Sequence, residues 1–375
     1  MSDQGLAARY DPQFGRSLAW DIDLLSGYNH EFVDTIEGSS QSSFLWLRLP
    51  SGFTRKIVAD GADTLWIQGW QVAAYWQAVH QARQQNLPIW LRAETNLRST
   101  SHGWKQMLKA PLLAWLLSSV DRFLCIGEAN REYFVSQGIS SDRLARAPYC
   151  VDNERFSQAH DHLINRRREL RHHWNIPPDA TCLLFVGKLI EKKRPQDLID
   201  AANLVMARRP ERPVHLLFVG TGEFLDSLRA NSSVVFDFDA NLSRRRDNYV
   251  STSFAGFLNQ SEISKAYTAA DCLVLPSQAT ETWGLVVNEA MASGLPAIVS
   301  DACGCSDDLI KPIRPDLCFP VADTAALARA IESFISRPQS ASEVQSLISN
   351  YDILRTVEAV EKLYLLQQPG LTKHN

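Results

Sequence analysis

Glu281-Thr-Trp-Gly-Leu-Val-Val-Asn-Glu289-Ala-Met-Ala-Ser-Gly294 sets two carboxylates eight positions apart, on either side of a strand-to-helix junction. Upstream, Ala270-Asp-Cys-Leu-Val-Leu-Pro-Ser277 is an apolar run stopped by proline, the pattern of a buried strand. Gly284 to Ser293 has helical spacing, with Gly294 as its C-terminal stop. Glu281 therefore falls on a loop at a strand's carboxyl edge and Glu289 on the helix. In open parallel α/β sheets the ligand lies outside the carboxyl ends of the strands. A helix starting near Trp283 or Gly284 presents unpaired amides and the positive end of its dipole, which suits a diphosphate. Glu289, a turn or so further on, has two acceptor oxygens for the hydroxyls of a ribose.

A second signal precedes this one. Cys182-Leu-Leu-Phe-Val-Gly187-Lys188-Leu-Ile-Glu-Lys-Lys193-Arg-Pro195 reads as buried strand, glycine turn and basic loop, with an amphipathic helix after it. Lys188 follows the turn glycine and Lys193 stands just before the helix that Pro195 helps to start, so both ammonium groups can converge on one diphosphate. Two lysines can neutralise a leaving nucleoside diphosphate without a metal. Lys192 and Arg194 read as solvated charges of the same loop.

Together with Leu-Leu-Phe-Val-Gly220-Thr-Gly222-Glu and Phe-Ala-Gly256-Phe-Leu, these stretches resemble family 4 retaining glycosyltransferases of the GT-B fold, most specifically over residues 180 to 350. The resemblance implies an α/β protein of two Rossmann-like domains facing across a cleft. It places Glu281 beside the transferred sugar, Glu289 on the ribose and Lys188 and Lys193 on the diphosphate, with Gly187, Gly256, Trp283, Gly284 and Leu285 completing the donor pocket. Lys188 stands where arginine is commoner, which keeps the charge and loses the planar fork. Thr282-Trp283 replaces the usual Pro-Phe and reshapes the sugar pocket. The implied reaction moves a sugar from a UDP- or GDP-linked donor to an acceptor hydroxyl on a glycan or lipid-linked sugar, with retention, in cell-surface glycan synthesis. No metal and no other cofactor is expected. Relatives have a strand, a glycine-rich loop and a helix before the region matching Tyr10-Asp-Pro-Gln-Phe-Gly15, where this sequence has nine residues, so a first domain without its first βα unit is expected.

At 375 residues and 45% hydrophobic content, two domains of ordinary size are expected. We place them at residues 1–160, on the acceptor side, and 161–350, on the donor side, with the segment 351–375 packing back on the first. The first part alternates strand and helix signals: Thr64 to Ile67, a helix from Val72 to Gln85, Ile89 to Arg92, a further helix, Arg122 to Ile126, then Glu128 to Gln137. Arg92 and Glu94, after the Ile89 strand, and Trp70, after the preceding one, are acceptor-side candidates; an internal ion pair and a core tryptophan are the plainer readings. Asn130-Arg131 opens the last helix, as a cap or as a diphosphate contact. The charged run Asn165 to His173, with a solvated His172-His173 face, marks the approach to the second unit, and a polar insertion lies between Arg229 and Thr252.

A net charge of −4 and a pI near 6.2 leave no nucleic-acid footprint. The seven cysteines include no Cys-x-x-Cys, and we read them as reduced, mostly buried thiols of a cytoplasmic protein. No spanning segment is expected, because the apolar run Ala110 to Val120 ends at Asp121 and Arg122. The stretch with Trp104, Lys105, Lys109 and Trp115 suits either peripheral contact with a bilayer or a helix covering a sheet. Three competing functions remain: a metal-dependent transferase using Asp237-Phe-Asp239 or Asp21-Ile-Asp23, a nucleotide-sugar epimerase, and a catalytically impaired donor-binding protein in an assembly complex.

Overall fold

A computed structural model describes residues 9–11, 16–23, 25–32, 43–45, 47–99, 104–239 and 245–367. The chain divides into two compact units, the first of Met1–Leu6, Leu24–Pro148 and Thr356–Asn375, the second of Ala7–Asp23 and Tyr149–Arg355. A two-stranded antiparallel ribbon, β1 (Arg9–Asp11) and β2 (Arg16–Leu18), comes first and belongs to the second unit.

In the first unit α1 (Phe53–Ala59) precedes β3 (Leu65–Ile67), α2 (Ala73–Gln84), β4 (Ile89–Arg92), α3 (Trp104–Ser118), β5 (Arg122–Cys125), α4 (Glu128–Ser136) and β6 (Leu144–Arg146). Among the described residues its sheet has four parallel strands in the order β3-β4-β5-β6. Alternation along β4 sends Ile89 and Leu91 to one face, where Val79 and Ala82 of α2, Leu116 of α3 and Phe134 of α4 bury them. Trp90 goes to the other face, with Leu124, Ala147 and Leu363.

The second unit opens with α5 (Asn153–Leu163) and α6 (Arg167–His173). It continues as β7 (Thr181–Val186), α7 (Pro195–Arg208), β8 (Val214–Val219), α8 (Leu225–Ala230), β9 (Ser233–Asp237), β10 (Ser251–Gly256), α9 (Ile263–Ala269), β11 (Cys272–Leu275), α10 (Leu285–Ala292), β12 (Ala297–Ser300), β13 (Cys318–Phe319), α11 (Thr324–Ser336) and α12 (Ala341–Ile348). Its sheet is parallel throughout, in the order β13-β12-β11-β7-β8-β10-β9. Strands covered on both faces read as continuous apolar runs, which is why Cys182 to Phe185 and Cys272 to Leu275 are buried without alternation. From Thr356 onward α13 (Ile353–Gln367) belongs to the first unit. There Gln367 Oε1 accepts from Trp90 Nε1 at 2.8 Å and Tyr364 bonds to Asp63.

Two sequence expectations shift. The boundary expected at 160/161 falls inside α5, whose N-terminus is capped by the Asp152 carboxylate on Arg155 N at 2.9 Å. The polar stretch after Arg229 is not all loop: Ser233–Asp237 pairs with β10 as the sheet's outer strand, while residues 240–244 lie outside the described ones.

The charged run before β7 also does more than approach the unit. Arg167 and Arg171 both hold the Asp271 carboxylate, at 2.6 and 3.1 Å, and that carboxylate also accepts from Cys182 N at 2.8 Å. Arg171 further donates to the carbonyls of Pro177 and Ala180. His173 packs against Trp174 and Phe236. The clamp thus ties α6 to the amino ends of β7 and β11. Arg171→Ala leaves Asp271 to Arg167 alone and strips the Pro177 and Ala180 carbonyls of their donor, so it should lower unfolding free energy by about 2–3 kcal/mol in urea titrations. A change below about 0.5 kcal/mol, the size of an ordinary surface substitution, would refute the clamp.

Candidate functional site

β7 lies between β8 and β11, so the loops leaving these carboxyl ends open at a topological switch point. The loops lock onto one another through backbone bonds. Gly187 N donates to Val219 O at 3.0 Å, Leu189 N to Thr221 O at 2.9 Å, Gly220 N to Gly256 O at 2.7 Å and Phe224 N to Leu189 O at 3.0 Å. Gly220 has φ +134°, and a Cβ there would sit 1.9 Å from the Gly187 carbonyl oxygen, so only glycine fits.

Lys193 ends a single 3-10 turn, Glu191–Lys193, and its Cε lies 3.9 Å from where a Cβ on Gly187 would stand. Its ammonium pairs with the Glu281 carboxylate, and the two side chains are only 14% and 17% exposed. Gln278 N also donates to Lys192 O at 2.9 Å, so the basic loop after β7 and the acidic loop after β11 are joined twice. Glu281 is held from below: Gly304 N donates to its carbonyl and Cys305 N to that of Trp283, both at 3.2 Å. A Cβ on Gly304 would fall 1.8 Å from Thr282 O, so this clamp needs the bare backbone. Cys303 and Cys305 are buried thiols, as expected for the cysteines as a group, but the part of Gly304 between them in seating Glu281 has no motif in the sequence. Burial pushes the Cys303 thiol up to about 12, which keeps it protonated and unreactive.

α10 starts at Leu285, directly after Gly284. On its fifth residue, Glu289 Oε2 accepts from the Tyr267 hydroxyl at 2.6 Å. The Gln260 side chain also bonds the Glu289 carboxylate, and Arg155 holds Gln260 Oε1 at 2.7 Å. Burial nevertheless lifts the Glu289 carboxyl above its ordinary 4.5. Tyr267 and Gln260 were not foreseen; the only sequence signal was a tyrosine inside the apolar run of α9.

The remaining candidates separate. Lys188 Nζ pairs with Asp11 Oδ2 at 2.9 Å. The Trp283 ring is 2% exposed, its Nε1 donates to Asn288 at 2.8 Å, and it packs on Tyr149 and Tyr351, so it braces the acidic loop from the unit's interior rather than lining a pocket. Gly256 gives its carbonyl to Gly220, with the Phe238 ring where a Cβ would stand. In the first unit, Trp70 stacks on Tyr133 and packs against the core, Arg92 donates to Pro148 O at 3.3 Å, and Glu94 is exposed. Asn130 is buried, accepting from Ile126 N and donating to Thr95 O, and Arg131 pairs with Glu128. Asp237 is gripped by Arg229 at 2.6 and 2.7 Å, and Asp21 accepts from Ser261, so neither Asp-x-Asp triplet presents two open carboxylates. In α3 the side chains of Trp104, Lys105 and Lys109 lie outside the described residues, while Trp115 stacks on Trp76. Among the described residues no helix is long and apolar enough to cross a membrane.

A family model described as glycosyl transferases group 1 matches residues 166–350, and one described as glycosyl transferase 4-like domain matches residues 33–150. The GDP-mannose-dependent alpha-mannosyltransferase of Mycobacterium tuberculosis (strain CDC 1551 / Oshkosh) is 30% identical over 287 residues, 75% of this chain and 64% of that protein. D-inositol 3-phosphate glycosyltransferase 2 of Catenulispora acidiphila is 32% identical over 167 residues, 44% of this chain and 36% of its own length. These matches span less than two thirds of either relative. Among solved structures, Anabaena HepE in complex with UDP superposes with a TM-score of 0.63 at 17% identity, covering 84% of each chain. The alpha,alpha-trehalose 6-phosphate synthase of Burkholderia multivorans gives 0.59 at 15% identity, covering 84% of this chain and 75% of that one. At such identities the likeness establishes the fold.

Two stability measurements test this geometry. Gly304→Ala should cost about 1–3 kcal/mol, the range for forcing atoms into a closed contact; a loss below about 0.5 kcal/mol, the size of an ordinary surface substitution, would remove the Gly304 clamp. The raised Glu289 carboxyl is held more tightly by the folded chain than by the unfolded one. Its contribution to stability is complete below pH 4.5 and declines as pH rises through the folded value. Glu289→Gln should therefore gain on the parent in urea midpoint as pH goes from about 4 to about 8, and a difference constant with pH would contradict the shift.

Proposed function

Because the chain belongs to the group 1 glycosyl transferases of GT-B fold, we propose that it is a retaining glycosyltransferase taking a UDP- or GDP-linked sugar. The observation that carries this reading is the Lys193–Glu281 pair, which joins the basic loop after β7 to the acidic loop before α10 at the switch point. In this pair the two charges neutralise each other. A bound diphosphate takes Lys193 and Lys188 and faces the amides of Gly284 and Leu285 at the start of α10, leaving Glu281 to turn to the sugar. Glu289, oriented by Tyr267 and Gln260, keeps acceptor capacity for a ribose hydroxyl.

The bond from the anomeric carbon to the phosphate oxygen breaks as the acceptor oxygen bonds the same carbon from the same face. The acceptor's proton goes to the departing phosphate oxygen, and a nucleoside diphosphate is released. The chain's part is placement and charge: two ammonium groups and helix-end amides stabilise the leaving diphosphate, so no metal is called for. The mannosyltransferase likeness favours a GDP-linked hexose and the HepE likeness a UDP-linked one, so both belong in the screen. For the acceptor we propose a glycan or lipid-linked sugar met at the cytoplasmic face of a membrane, in surface glycan synthesis. Arg92 and Glu94 of the first unit are the acceptor-side candidates.

A panel of UDP- and GDP-sugars, scored for binding and turnover, tests the reading. Glu281→Gln should lower kcat by about 10²-fold or more while donor affinity holds, as for loss of one electrostatic stabiliser. Glu289→Ala should weaken donor binding about tenfold or more, the worth of a charge-assisted hydrogen bond. Tyr267→Phe should raise the donor KM with little effect on kcat. EDTA should leave turnover unchanged. Full activity in Glu281→Gln, or unaltered donor binding in Glu289→Ala, would defeat the assignment.

A further inference from the structure

We propose that Asp11 competes with the donor diphosphate for Lys188, and that the segment carrying it is a strap which the donor displaces. The proposal rests on the donor reading above and adds a regulatory element to that site.

The segment belongs to the second unit, although Leu24 onward belongs to the first. It touches the site at both ends. At the phosphate end, Asp11 on β1 sets its carboxylate 2.9 Å from Lys188 Nζ, on the residue that follows the Gly187 turn. At the other end, Ala19 O accepts from Asn259 Nδ2 at 2.8 Å, and both Asp21 oxygens accept from Ser261 N, at 3.3 and 3.2 Å. The Ser261 hydroxyl donates to Asp21 as well. Asn259 and Ser261 flank Gln260, whose side chain bonds the Glu289 carboxylate. One segment therefore bridges the lysine of the phosphate loop and the loop that orients the ribose carboxylate.

The chemistry is competitive. A carboxylate and a phosphate oxygen are both anionic acceptors for an ammonium, and a lysine engaged by one is less available to the other. Tyr10 is 66% and Trp20 51% exposed, so these two side chains of the strap bury little. Elements with few buried apolar contacts open at low free energy. The donor thus meets a self-neutralised site, with Glu281 on Lys193 and Asp11 on Lys188, and its diphosphate exchanges with both carboxylates.

Calorimetric titration of UDP and of GDP into the full chain tests this, with hydrogen exchange on peptides spanning residues 9–23. Asp11→Asn should tighten whichever nucleotide the parent binds by about twofold to fivefold, the scale of a partly exposed ion pair. In a Lys188→Ala background the same change should have no effect. The ribbon amides should be protected in the free parent and exchange faster both in Asp11→Asn and in the nucleotide-saturated parent. Equal or weaker nucleotide binding in Asp11→Asn overturns the strap and leaves the donor reading intact, as does an unprotected ribbon in the free parent. A parent that binds neither nucleotide overturns the donor reading, and the strap with it.

Discussion

The carbonyl of Gly187 stands where a side chain on Gly220 would begin, and the loops after β7, β8 and β10 close on one another because no Cβ intervenes there. Everything at the carboxyl edge of this sheet depends on that contact. It brings Leu189 against Gly222, turns the Glu191–Lys193 stretch back over Gly187, and so sets Lys193 within reach of a carboxylate arriving from β11. Gly304 does the same service on the other side, where its bare backbone lets a second segment press on the loop that carries Glu281. Precise placement of charge thus follows from main chain meeting main chain, which is stiffer than any arrangement of side chains on flexible loops.

The charges themselves are never left alone. Lys193 has Glu281, Lys188 has Asp11, and Glu289 has Tyr267 and the Gln260 amide. Half-buried ions without partners would cost several kcal/mol each. Under the donor reading proposed above, the pairs across and around the loops are partners that can be given up when a charged ligand arrives.

Much of this was legible because local pattern and global fold agree. The runs Cys182 to Val186 and Cys272 to Leu275 announced doubly covered strands, Pro195 announced the start of α7, and Gly294 the end of α10. The alternation from Thr64 to Gln137 placed three strands and two helices within a few residues of where they stand, with a further helix between the second and third strands. What escaped was information carried between distant positions. A charged run such as Asn165 to His173 looks solvated until Asp271 is brought under Arg167 and Arg171, about a hundred positions on. Trp283 looks like a pocket wall because it neighbours Glu281, yet its indole turns inward to Asn288. Gly304 and Tyr267 lack any motif of their own, since their value lies in the backbone or carboxylate opposite them. The pairing of Asp11 with Lys188 spans 177 positions, too far for any spacing rule to suggest.

The arginine clamp on Asp271 sits at the amino ends of β7 and β11, and the glycine-lined loops sit at the opposite ends of the same strands. The sheet therefore keeps its fastening and its ligand edge a strand's length apart. Substitutions far enough apart to share no partner add independently, so the ligand edge can be rewritten, one loop at a time, without loosening the fastening. A descendant of this chain that acquired a different ligand would be expected to carry its changes after Val186, Val219, Gly256 and Leu275, with Arg167, Arg171 and Asp271 carried along untouched.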